Sequence, residues 1–432
     1  MEKKYYPQLK ETVYETTLTC GLRVILVPRP GFRKKLAYFA TNFGAIDTRF
    51  MLDGEEVQVP EGIAHFLEHK MFDMPGQRDI NEEFAALGAF ANAFTSYYMT
   101  AYQFSCTNGF YESLRLLLEF VSTPYFTRES VDKEQGIIGQ EIGIYQDNPE
   151  AKCFENLTRI SYSTHPVREP ILGTVESIAK ITPEMLHLCH KAFYHPENML
   201  LCVIGDIDPQ ALCRVAEEAL PPRERPNAAL LRDWQEPMTT VQAEILDHMD
   251  VARPVYSIGF KCEPVGDGFD MLHREIVGDL AAEALIGESS ELYLRLYEKN
   301  VIGTSFGCGF DTMDGMAQIT MGGEGWKGKI VLREICKKAE ELAREGIPEE
   351  DFLRLKRSAM GQRIRGLDKF DATNFRICAY YFSNLDYFRF PEAYQQVTRE
   401  EVQEFIRRVF VPERATLSVI LPNVKEEEEE NG

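Results

Sequence analysis

Period-two alternation of apolar and polar positions marks AYQFSC at 101–106 and AQITMG at 317–322. Each run leads through a short glycine turn into a helical pattern, ESLRLLLEFV in one case and KIVLREICKKAEEL in the other. A second correspondence needs no gaps: TPEMLHLCHKAFYHPENMLLCVIGD from Thr182 aligns with TREEVQEFIRRVFVPERATLSVILP from Thr398, an offset of 216 residues. Each copy reads as a Thr-capped helix with an acid in its first turn, a Pro turn and a β-rich strand. The pattern predicts a duplication: residues 1–222, a connector at 223–242 rich in proline and polar residues, and residues 243–432. Two homologous halves, each an antiparallel or mixed β-sheet packed with α-helices, make the fold class α+β.

Against that frame GIAHFLEHKMF at 62–72 stands out. Helical spacing puts His65 and His69 one turn apart on one face, where two imidazoles can converge on one ion, with Glu68 beside them. Chance alone gives about 0.02 matches to His-x-x-acid-His for this composition. Zinc in a catalytic site takes three protein ligands and one water, so a third ligand is needed from another element, a carboxylate or another histidine. ESVDKEQGIIGQEIGIYQDN predicts a helix over about 129–146, in which Glu134 and Glu141 lie two turns apart on one face. One could bind metal while the other supports a ligand. The duplicated half supplies a contrast, since GQRI at 361–364 places Arg363 opposite Glu141 and Lys356 opposite Glu134.

HFLEH at 65–69, NAFTSYYMTAYQF at 92–104, EQGIIGQEI at 134–142 and FYHPENMLLCVIGDID at 193–208 together resemble the inverzincin peptidases. This is the pitrilysin and insulinase family, in its half-length branch that includes mitochondrial processing peptidase, of the bacterial paired-paralogue type. The resemblance implies a LuxS/processing-peptidase-like fold that closes as a clamshell on dimerisation. It implies Zn2+ on His65, His69 and Glu141, Glu68 as general base, and Glu134 as a supporting catalytic acid. Asn92 and Ala93 would hold a peptide substrate by adding it as a strand to a sheet edge. Active relatives often carry an Arg and, seven residues later, a Tyr; here Tyr297 and Thr304 align with them, and Arg295 is out of register. That departure implies a paralogous partner subunit lacking HxxEH, with a homodimer as the other arrangement. The expected activity is a zinc metalloendopeptidase; a non-catalytic processing-peptidase-like subunit or scaffold is the alternative.

Composition narrows the setting. A net charge of −21 disfavours phosphate backbones, so nucleic acid is not an expected partner. No window approaches 18 uninterrupted apolar residues, and MEKKYYPQLKETVYE lacks the apolar core of a secretory signal, so no membrane association is expected. Ten cysteines without CxxC pairs suit a reducing compartment, which places the chain in the cytoplasm. The tail KEEEEENG is read as a solvated end.

Two further motifs tempt. GEGWKGKI at 323–330 falls short of a phosphate loop because Ile330 stands where a hydroxyl must meet magnesium. HLCHKAFYHP offers His187, Cys189, His190 and His195, but its duplicated counterpart carries Gln403, Phe405, Ile406 and Val411, so packing is expected there rather than a second metal.

Overall fold

Among the described residues fifteen strands form, twelve of them in two main sheets and three in a small third one. The computed structural model describes residues 1–266 and 268–423; the acidic run at 425–432 lies outside them. In chain order the strands are β1 (Glu2–Tyr6), β2 (Glu11–Thr17), β3 (Arg23–Pro28), β4 (Lys35–Thr41), β5 (Arg49–Leu52), β6 (Glu55–Gln58), β7 (Ala89–Thr95), β8 (Thr100–Cys106) and β9 (Met199–Gly205). After these come β10 (Ala228–Leu230), β11 (Glu244–Met249), β12 (Val255–Lys261), β13 (Gly307–Met313), β14 (Met316–Glu324) and β15 (Ala415–Pro422).

The first sheet runs β1-β2-β3-β9-β4-β8-β7 and the second β11-β15-β12-β14-β13. Five strands of the first, β3-β9-β4-β8-β7, repeat strand for strand in the second. Even the single parallel pair recurs, as β3 with β9 and β11 with β15. Both sheets are therefore mixed. The gapless repeat is equally clear in the helices, because Pro183–Phe193 and Arg399–Val409 are both capped by threonine, Thr182 and Thr398.

Two compact units form, and they interleave the sequence halves. One takes residues 1–142, 170–232 and 361–392; the other takes 143–169, 233–360 and the described residues from Ala393 on. In the first unit the helix Phe370–Phe382 lies on β9 and β4, where the Cys202 thiol donates to Asn374 Oδ1 (3.1 Å). In the second, the helix Pro149–Ser161 lies on β12 and β15, and the Cys153 thiol donates to Ser418 Oγ (3.5 Å). Cys202 and Ser418 are matching positions of the repeat, so each sheet receives a helix from the other half of the sequence at the same place.

One of the unit boundaries falls inside the 223–242 connector, and the segments on either side of it are tied down. Ala228–Leu230 pairs antiparallel with β5, and Arg232 meets the buried Asp47 through two hydrogen bonds of 2.8 Å. Within the second unit, Glu236 accepts from the backbone N–H groups of Ser163, Thr164 and His165 and from Lys261 Nζ (2.6 Å). Two of the connector's polar residues, Arg232 and Glu236, are thus charge partners of the buried Asp47 and Lys261, since a desolvated charge needs partners around it.

The core of the first unit fills one face of its sheet. Val24, Leu26, Ala37, Phe39, Leu201 and Val203 alternate inward against the helices that carry the functional residues.

Candidate functional site

The histidine helix, Ile63–Lys70, begins where the chain makes a close backbone crossing. Gly62 has φ 87°, and a Cβ there would sit 2.4 Å from Leu172 O. Glycine is therefore required on both conformational and steric grounds. Beyond it Ile63, Ala64, Phe66 and Leu67 enter the core, which fixes the rotation of the helix and leaves His65, Glu68 and His69 on the remaining arc. His65 and Glu68 are each only 7% exposed.

The acidic helix spans Arg128–Gln146, within a residue of its expected start. Val131, Ile138 and Ile142 are its buried anchors, and Glu134 and Glu141 follow the first two by three residues each, so both carboxylates flank the anchored face. The helix delivers them to different ends of the histidine pair. Glu141 Oε1 lies 3.8 Å from His65 Nε2, and its Oε2 lies 3.5 Å from His69 Nε2. Glu134 Oε1 instead accepts from His69 Nδ1 at 3.0 Å. The rings of His65 and His69 are 4.6 Å apart.

Among the described residues, His65, His69 and Glu141 form a group whose ligand atoms all lie within 4.8 Å of one another. Tetrahedral ligands at about 2.0–2.1 Å from a zinc ion stand roughly 3.4 Å apart. The Nε2-to-carboxylate separations are already close to that. The donor set, two imidazoles and one carboxylate, is one that a catalytic zinc site uses.

Protonation favours metal binding at His65 and competes with it at His69. Burial, with His69 adding to it, pulls His65 down to about 3, which keeps its ring neutral and its lone pair available. Burial opposes charge on His69 as well, but the Glu134 hydrogen bond together with the charges of Glu68, Glu134 and Glu141 outweighs it and raises the ring above its ordinary value. Burial pushes the Glu68 carboxyl up to about 7, against the Thr95 hydrogen bond and the His69 charge, which lower it. Burial also works against the Glu134 charge, yet the His69 hydrogen bond and Lys70 hold that carboxyl below its usual range.

Sequence reasoning missed Thr95. Its hydroxyl donates to Glu68 Oε2 at 2.7 Å, and it sits opposite Thr100, whose own hydroxyl donates to Phe43 O (2.9 Å). Behind them the buried Tyr102 and Tyr194 hydroxyls meet at 2.8 Å. Period-two alternation from Ala93 puts Thr95 on the same strand face, the one signal that could have pointed to it.

β7, the strand with Asn92 and Ala93, is an edge of the seven-stranded sheet. Asn92 is exposed, and its Oδ1 accepts from the Ala93 N–H at 2.9 Å. In the other half Arg363 donates to Tyr380 OH (2.6 Å) and Lys356 to Val397 O (2.8 Å), so the counterparts of the acids do packing work. Arg295 pairs with Glu334 (3.2 Å), Tyr297 is half exposed and stacks on Tyr293, and Thr304 is exposed. The tempting histidines are also accounted for: His190 Nε2 meets Val121 O, His195 Nε2 meets Arg223 O, His187 packs on Phe126 and Cys189 is fully buried. Lys329 of the GEGWKGKI turn pairs with Glu244 (2.8 Å).

Two family models match the chain: Insulinase (Peptidase family M16) over residues 55–175, and Peptidase M16 inactive domain over residues 180–359. A curated relative, the uncharacterized zinc protease YmfH of Bacillus subtilis (strain 168), is 36% identical over 425 residues, which is 96% of this chain and 98% of that protein. The chain belongs to the insulinase family, peptidase family M16. A putative M16-like peptidase from Alicyclobacillus acidocaldarius matches at TM-score 0.91 and 31% identity, over 95% of this chain and 98% of that one. Pitrilysin shares the fold at TM-score 0.75 and 15% identity, and there this chain covers 46% of the longer protein. The first family model spans the histidine helix, β7 and the acidic helix, so His65, Glu68, His69, Thr95, Glu134 and Glu141 all fall within it.

Proposed function

We propose that this M16 family member is a zinc-dependent metalloendopeptidase. His65, His69 and Glu141 hold the metal, Glu68 is the general base, and Glu134 keeps His69 turned so that Nε2 faces the ion. The observation that carries the reading is the convergence of two imidazole nitrogens and one carboxylate beside a buried Glu68. The relatives' name, zinc protease, agrees with it. Zinc bound there supplies Lewis acidity, polarising a peptide carbonyl and acidifying water.

The remaining work falls to the chain. An extended peptide pairs with the β7 edge, where a substrate carbonyl replaces Asn92 Oδ1 on the Ala93 N–H and brings the scissile bond past the histidine helix. Glu68 takes a proton from the attacking water. Glu68 then returns the proton to the leaving nitrogen as the C–N bond breaks. Thr95 holds Oε2 of Glu68 and leaves Oε1 for the water.

A paralogous partner subunit lacking HxxEH and retaining the Arg/Tyr pair supplies the wall this chain lacks at Tyr297 and Thr304. The half-length match to pitrilysin supports two chains where that protein uses one. The cytoplasm is the proposed location. None of the ten cysteines is in a disulfide, and no described helix is long and apolar enough to cross a membrane.

The test is to incubate the purified chain, alone and with a paralogue, with a peptide library, and to compare wild type with Glu68→Gln. Cleavage that needs zinc and Glu68 supports the enzyme. A chain that holds no zinc and cleaves nothing with either partner supports the scaffold instead.

A further inference from the structure

The residue after the second histidine is a lysine, and it is 1% exposed. A buried ammonium is costly unless anions or carbonyls surround it. Lys70 Nζ meets the carboxylate of Asp73, the carbonyl of Ser130 (3.3 Å) and Glu134 Oε2 (3.4 Å). The other oxygen of Glu134, Oε1, is the one on His69 Nδ1. The two oxygens of that carboxylate are thus divided between Lys70 and His69, which fixes the plane of the group. Ser130 lies one turn before Glu134 on the same helix, so Lys70 also grips the backbone that carries Glu134.

We infer that Lys70 is a positioning residue for the metal centre: by holding Glu134 against His69 Nδ1 it orients the His69 ring and so sets metal affinity, without touching the metal. This rests on the metal reading proposed above. A carboxylate that orients a metal-bound histidine affects affinity by about 10–100-fold when removed, and Lys70 orients the carboxylate. Positioning and bare charge make opposite predictions. A lysine acting only as a cation near a divalent ion repels it, so its removal would tighten binding; a lysine acting through Glu134 strengthens binding, so its removal weakens it.

The experiment measures the zinc affinity of the full-length chain by competition with a chromophoric chelator. Wild type, Lys70→Met, Lys70→Arg, Glu134→Gln and the Lys70→Met/Glu134→Gln double variant are compared, with folding followed by circular dichroism. Lys70→Met should bind zinc about 10–100-fold more weakly, Lys70→Arg should recover most of that, and the double variant should be no weaker than Glu134→Gln alone. Should Lys70→Met not fold, Lys70→Gln, which keeps a donor without the charge, carries the comparison. Zinc binding by a folded Lys70→Met or Lys70→Gln variant that is unchanged or tighter, or a loss that adds in full to that of Glu134→Gln, overturns the inference alone. A wild-type chain that binds no zinc overturns the metal reading and this inference with it.

Discussion

The hydroxyl of Thr95 donates to Glu68 Oε2 at 2.7 Å, so an edge strand holds the carboxylate that the histidine helix presents. General acid–base transfer contributes about 10²–10⁴-fold, and a loosened base forfeits part of that. Thr95→Val should lower kcat about 10–100-fold with KM and zinc content little changed, and Thr95→Ser should stay within a few fold of wild type. Steady-state kinetics beside metal analysis checks this; equal kcat for the valine and serine variants would remove Thr95 from the account.

Glu68 itself is adjacent to a proposed ligand without being one. Glu68→Gln keeps the size and a hydrogen-bond partner for Thr95 but cannot take a proton. Hydrolysis should fall by at least about 10²-fold while one zinc per chain is retained. Turnover near the wild-type rate would mean that the base lies elsewhere.

Much of this centre was legible because it is local. Two histidines at helical spacing and two glutamates two turns apart declare shared faces before any tertiary contact exists, and the structure brings all four together. Thr95 and Lys70 were not legible as partners of Glu68 and Glu134, because each contact closes between elements that the sequence separates by 27 and 64 residues. The duplicated frame was readable from the Thr182 and Thr398 repeats. Its interleaving was not: the pattern of 149–161 shows that one face is buried, and nothing in it says which sheet covers that face.

The proposed substrate pairing uses the outward N–H of Ala93, now on Asn92 Oδ1. Proline removes that donor and is tolerated on edge strands. Ala93→Pro should therefore lower kcat/KM about 10-fold, mostly through KM, with zinc content unchanged. Unaltered kinetics would exclude β7 as the strand that holds the peptide.

The Glu236–Lys261 pair gives a pH signature within the second unit. Burial raises the Glu236 carboxyl, but Lys261 and the N–H groups of Ser163, Thr164 and His165 outweigh it and bring it down to about 2. A carboxyl depressed on folding stabilises above its unfolded value, about 4.5, and that contribution is lost as pH falls from there towards 2. The contribution amounts to no more than about 3 kcal/mol. Urea midpoints measured from pH 6 to pH 2 should fall more steeply for wild type than for Glu236→Gln. Parallel profiles would contradict the assignment. Lys261→Met, which leaves the buried carboxylate without its cation, should cost about 3–5 kcal/mol at pH 7.

The most direct measurement is zinc-edge X-ray absorption on the metal-loaded chain, paired with the same spectrum of a Glu141→Ala variant. The account predicts two imidazole nitrogens and oxygen ligands at about 2.0–2.1 Å in wild type, with zinc lost or its shell changed in the variant. A wild-type chain without zinc, or a shell lacking two imidazoles and indifferent to Glu141, would contradict it.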